Sequence, residues 1–181
     1  MERASSSSAA PGATTDAFGL LGLPARFDLD PKLIEQAFFD KSKELHPDRF
    51  ASAPAAERVV ALSRSRALND AYQQIKKPVA RAEYLLARAG FAIGENERIA
   101  DAAFLMEILE MREELAEARV AKRTSEVEKL NADMTARRKA VVASLSPLFD
   151  KNDLPAIKEQ LIVLRYLDRY LEECDAALDE D

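Results

Sequence analysis

A chain of 181 residues with one histidine and one cysteine has few places where chemistry can happen. The histidine is His46, directly followed by Pro47, Asp48 and Arg49. An imidazole beside a carboxylate can relay a proton, cap a helix or make a contact. General acid–base or nucleophilic catalysis needs further polar groups converging on the same point, and the sequence offers none that pair with His46. Cys174 stands alone, so it forms no intramolecular disulfide and no multi-cysteine metal site, and it is compatible with a reducing compartment. With nothing basic converging on it, its thiol reads as an inert helix residue. An iron–sulfur cluster needs about four ligands, so Cys174 could not hold one alone. No enzymatic activity, no cofactor and no metal are expected, and His46 reads as a contact residue rather than a reacting one.

The elements that position His46 are helices. Hydrophobic residues make up 48% of the chain and charged residues 32%, with 5 glycines and no tryptophan. Helix formers dominate and alternating β-branched runs are scarce, so the expected fold class is all-α. Asp16 to Leu23 reads as one apolar helical turn docked on a core and ended by Pro24. Asp30-Pro31 is a helix start, an acidic N-cap with proline at the first helical position. The following helix carries Ile34, Phe38 and Leu45 on one stripe, interrupted by Lys41, whose alkyl stem can lie along the core edge. It must stop at His46, because a residue before proline avoids the α region. A second long helix is expected from about Ala55 to Lys77, with Val60, Ala61, Leu68, Ala71, Tyr72 and Ile75 as its apolar positions. Two helices with a short connection make an antiparallel hairpin, with His46-Pro47-Asp48 at its exposed end.

Beyond Pro78 the pattern predicts a short amphipathic helix from Arg81 to Ala89, ended by Gly90, then a loop from Phe91 to Ala100. Asp101 should cap a helix running to about Val120. A second pattern restarts near Thr124-Ser125 and stops near Asp150-Asn152, and a last one runs from Leu154 to about Leu178. Three amphipathic helices with short links make an antiparallel bundle. The first of the three is apolar on more than one face. Phe104, Ile108, Met111 and Leu115 form one stripe. Leu105 and Leu109, with Met106 beside them, form another that Glu110, Glu113 and Glu117 continue. Two readings fit: a wide core helix with solvated glutamates, or a partner groove with apolar anchors beside a row of carboxylates.

Charge is uneven along the chain. Residues 16–77 carry 10 Lys and Arg against 9 Asp and Glu, whereas 78–181 carry 15 against 22. With a formal charge of −6 and no basic surface, nucleic acid is not an expected partner. No apolar run approaches the roughly 20 residues of a membrane span, so no membrane association is expected. Met1 to Thr15 is rich in Ser, Ala, Gly and Thr and lacks the basic and apolar regions of a secretory leader. It reads as a disordered tail, and the chain as cytoplasmic.

Three stretches together resemble a J-domain: Phe18-Gly19-Leu20, the helix running into Leu45-His46-Pro47-Asp48-Arg49-Phe50, and Ala67-Leu68-Asn69-Asp70-Ala71-Tyr72. The run from Asp101 to Glu117, together with Arg81-Ala82-Glu83-Tyr84-Leu85-Leu86 and Leu164-Arg165-Tyr166-Leu167-Asp168, is similar to the HscB family of co-chaperones, and the likeness spans about residues 16–175. This resemblance implies an L-shaped molecule: a disordered tail at 1–15, a J-domain at 16–77, a connecting helix and linker at 78–100, and a three-helix client-binding bundle at 101–181. It implies that His46, Pro47, Asp48 and Arg49 contact a DnaK-type chaperone ATPase (HscA) and stimulate its ATP hydrolysis. Lys32, Lys41, Lys43 and Arg49 would form a weak basic strip beside the loop that steers docking. It also implies that Leu105, Met106, Leu109, Glu110, Glu113, Glu117 and Tyr166 bind the iron–sulfur scaffold protein (IscU).

Two departures stand out. Arg49 replaces a common lysine, and Tyr166 replaces a familiar phenylalanine. With no cysteine-rich N-terminal extension, the chain resembles the bacterial type. The alternatives are a J-domain co-chaperone for a different client, and a structural helical adaptor in which His-Pro-Asp has no chaperone role.

Overall fold

The structure, a computed structural model, describes residues 16–179; the tail at 1–15 lies outside the described residues. Seven helices and no strand are present among them: α1 (Ala17–Leu21), α2 (Pro31–Leu45), α3 (Ala55–Lys76), α4 (Pro78–Arg88), α5 (Ala102–Val120), α6 (Thr124–Asp150) and α7 (Leu154–Asp179). A 3-10 turn at Pro47–Phe50 separates α2 from α3. The chain is all-α, and its helix limits fall within a few residues of those expected from capping and periodicity.

The caps work as their residue types dictate. The Asp30 side chain accepts the Lys32 backbone N–H at 2.9 Å, with Pro31 at the first helical position. The Asp101 carboxylate accepts from Ala103 and Phe104 at 2.9 and 3.2 Å. Each such cap satisfies helix-start donors that would otherwise lack partners, for about 1 kcal/mol.

The chain divides into two compact units. The first comprises α1, α2 and most of α3, with a small core of Ala17, Phe18, Leu21, Ile34, Ala61, Leu68, Ala71 and Ile75. Phe38 of α2 stacks on Tyr72 of α3 with ring centroids 4.2 Å apart, which ties the hairpin across its middle. Val60, expected among the apolar positions of α3, is instead 49% exposed. Ala61 occupies the inward position beside it, and one residue of shift rotates a helical side chain by about 100°.

The second unit runs from Lys76 to the C-terminus and also takes in Arg26–Leu29, the segment between α1 and α2. Phe27 is buried there and stacks on Phe149 of α6, with centroids 4.7 Å apart. Phe27 shares a core cluster with Ala82 and Leu86 of α4, Leu145 of α6, and Ile157, Leu161 and Leu164 of α7. The short helix α4 thus packs on α6 and α7 with the bundle. Arg81 is buried in α4 with its guanidinium over the Phe27 ring, and burial lowers its pKa against the opposing pull of Asp28. Among the described residues, no helix is long and apolar enough to cross a membrane.

The other core cluster joins α5, α6 and α7 through Phe104, Ile108, Leu115, Val127, Met134, Leu167 and Tyr170, among others. Tyr170 donates to the Met111 carbonyl at 3.1 Å, which satisfies its hydroxyl inside the core. Cys174 is fully buried beside it, and burial with the nearby Asp175 charge pushes its thiol up to about 11, so it stays protonated and unreactive at neutral pH. Arg137 of α6 braces α5. Its guanidinium grips both Glu107 carboxylate oxygens at 2.7 Å and lies over the Phe104 ring.

The hydrogen bonds from Arg137 hold the Glu107 carboxyl below its ordinary range. A carboxyl with a lowered folded pKa stabilises the fold fully above its unfolded pKa, and that contribution is lost as pH falls through the folded value. Glu107→Gln should therefore cost about 0.5–1 kcal/mol at neutral pH, kept modest by solvent screening of a half-exposed pair. Thermal melts across pH should show the gap between wild type and variant closing in acid. A gap that stays constant with pH would remove the ion pair from this role.

Candidate functional site

Two groups of exposed residues stand out, one in each unit. In the first unit, α2 ends at His46, whose backbone is extended as a residue before proline must be. The His46 Nδ1 accepts the Asp48 backbone N–H at 3.3 Å and so caps the 3-10 turn. With Nδ1 used as an acceptor, the neutral ring carries its proton on Nε2 as a donor. The Asp48 carboxylate lies 3.5 Å from the same Nδ1, and the two side chains are 59% and 89% exposed. The loop thus presents an imidazole N–H and a carboxylate side by side on a stiff turn, an arrangement suited to recognition. Arg49 donates to the Lys43 carbonyl at 3.4 Å, and Lys43 sits over the Phe39 ring at 4.0 Å, so both cations are anchored beside the loop. For Pro47 only the backbone is described.

The four cations do not make one strip. Nine residues separate Lys32 from Lys41, which places them about 180° apart around α2. Lys41 is engaged by Glu44 at 3.2 Å. Lys32 and Lys43 share a flank, and only Lys43 and Arg49 adjoin the loop.

In the second unit, α5 separates its two apolar stripes. Phe104, Ile108 and Leu115 are buried and Met111 is half-buried. Leu105, Met106 and Leu109 face outward at 37%, 57% and 51% exposure. Glu110, Glu113 and Glu117 are exposed beyond them. Exposing three large apolar side chains within five residues leaves apolar area in water with no return in folding energy. Tyr166 of α7 is half-buried and meets the Phe104 ring edge-on, with centroids 5.7 Å apart, so it supports α5 from beneath as well as reaching the surface. Its neighbour Arg165 donates to the Gly94 carbonyl and to Glu83, pinning the loop before α5 to α7. Arg137, Glu107 and Arg165 escaped sequence reading. Only a charged residue three positions from Phe104, on the flank of the buried stripe, hinted at Glu107.

Among the described residues, no group of three or more His, Cys, Asp or Glu side chains could hold a metal ion.

Comparison with known proteins covers both halves of the chain. Residues 100–175 match the HSCB C-terminal oligomerisation domain. The chaperone HscB of Vibrio cholerae is 32% identical, with a TM-score of 0.79 over 92% of this chain and 99% of that one. The human co-chaperone protein HscB is 28% identical, with a TM-score of 0.83 over 92% of this chain and 84% of that one. Matched at 32% identity along nearly the whole length of the Vibrio cholerae protein, this chain belongs to the HscB family of co-chaperones.

Proposed function

We propose that the chain is an adaptor that binds an iron–sulfur scaffold protein of the IscU type and delivers it to a DnaK-type chaperone ATPase of the HscA type. In this reading His46, Pro47, Asp48 and Arg49, flanked by Lys43, dock on the ATPase and speed its hydrolysis, while Lys32 and Lys41 add long-range attraction. Leu105, Met106 and Leu109 anchor the scaffold, and Glu110, Glu113 and Glu117 set its orientation, with Tyr166 at the edge. The chain itself acts as a regulator of its partner's hydrolysis, and its proposed place of work is the cytoplasm. The observation that carries the reading is the outward apolar cluster on a helix that already meets the core through a separate stripe. Such a face fits a partner better than it fits the fold. Joining it to the His46 loop through one chain raises the local concentration of the client at the ATPase, so hydrolysis is coupled to cargo.

His46→Gln removes both the turn's Nδ1 acceptor and the imidazole N–H. It should abolish stimulation in a single-turnover ATPase assay while scaffold affinity stays at the wild-type value; retained stimulation would end the docking role. Leu105→Ala with Leu109→Ala should weaken scaffold binding about 30-fold or more by calorimetry, as expected for two anchors at an interface centre. The melting temperature should hold or rise, because both side chains already face water. Unchanged affinity for IscU, with capture of another client, would favour a J-domain co-chaperone of different specificity.

A further inference from the structure

The outward stripe of α5 does not stop at Leu109. Leu105, Leu109, Arg112, Ala116 and Val120 recur at spacings of four, three, four and four, which keeps them on one flank of the helix over about 22 Å. At the far end this flank opens into a cleft of about 630 Å³ between α5 and α7. Leu115, Ala116, Val120 and Ala176 give it apolar walls, and Val120 is 86% exposed. Arg112, Arg119 and Lys122 contribute its cations. Arg112 is held by Glu173 at 2.7 Å, and its buried Nε–H has no hydrogen-bond partner among the described residues.

The backbone at Lys122 supplies a second, independent observation. Four helices end in the same way, with a left-handed residue whose N–H bonds back three residues and whose successor's N–H bonds back five. At α1 and α4 the left-handed residue is Gly22 or Gly90, and at α6 it is Asn152, all types that tolerate positive φ. At α5 it is Lys122, with φ of 53°. A long side chain there costs backbone energy that glycine would spare, and the residue lines the cleft.

We propose that this cleft is the far half of the client surface, and that Lys122 receives a carboxylate of the client. The inference rests on the client reading of the Leu105–Leu109 face and extends it. The flanks carry opposite charge: carboxylates of Glu110, Glu113 and Glu117 on the outer side, and cations beside α7. The complementary client surface is an apolar ridge with a basic row on one side and acidic residues at its end. That polarity fixes the direction in which the client lies, which an apolar patch alone cannot do.

The test is calorimetric titration of the full chain with an IscU-type scaffold, using Val120→Glu, Lys122→Gly and the Leu105→Ala, Leu109→Ala pair. Val120→Glu should weaken binding about tenfold. Lys122→Gly should raise the melting temperature by about 2–4 °C while lowering affinity several-fold, a combination that a purely structural lysine does not produce. Unchanged affinity in either single-site variant, with the Leu105, Leu109 pair defective, overturns the extension and leaves the client reading standing. Wild-type affinity in that pair as well overturns both. A dimer of the wild-type chain that Val120→Glu dissociates, with scaffold affinity unchanged, assigns the cleft to a second copy and overturns the proposal.

Discussion

Everything in the second unit depends on the burial of α7. Leu161, Ile162, Val163 and Leu164 are four consecutive residues, and together they cover most of the circumference of a helix; all four are buried. A helix apolar on so many sides cannot lie at a surface. It requires neighbours around it, and α4, α5 and α6 supply them. Each fully buried aliphatic side chain contributes about 1.5–3 kcal/mol, so this one helix anchors the largest share of the unit's hydrophobic stabilisation. Its demands also determine what α5 is free to do. Phe104, Ile108, Leu115 and Ala118 meet that core, and the outward Leu105, Met106 and Leu109 are left exposed.

Under the proposed function the two units would recognise in different ways. The His46 turn presents hydrogen-bonding groups fixed by short-range backbone geometry, so specificity there would lie in direction and charge. The α5 face presents apolar area framed by carboxylates, and affinity there would rest on desolvation, with charge arranging the approach. By holding Glu107 and covering Phe104, Arg137 braces the turn of α5 that carries Leu105 and Leu109.

Much of this was legible in the residues. Asp30-Pro31, Asp101 and Gly90 mark helix ends because capping is a local matter of side-chain reach and φ. The two stripes on α5 could be counted because their apolar positions exceed what one core face consumes. The residues that resisted reading are those whose role is set by distant partners. Nothing local says that Phe27 will stack on Phe149, more than a hundred residues on, or that Arg81 will be buried beneath it. Val60 and Ala61 are both apolar, and only the packed hairpin decides which one turns inward. The basic strip suggested by four cations near the loop dissolves once helical rotation places Lys41 opposite Lys32.

The passage of Arg26–Leu29 into the second unit has a consequence for dissecting and recombining the molecule. The chain enters that unit, leaves it to build α2 and α3, and then returns, so no single cut separates the two halves. A fragment ending at Ile75 carries away Phe27, which then faces water, and it uncovers Ala82, Leu86 and Phe149 in what remains. The J-like half is therefore not a cassette. Grafting it onto another client-binding module, by experiment or by gene fusion in evolution, would require rebuilding the niche that these few residues fill, which favours inheritance of the two halves as a pair.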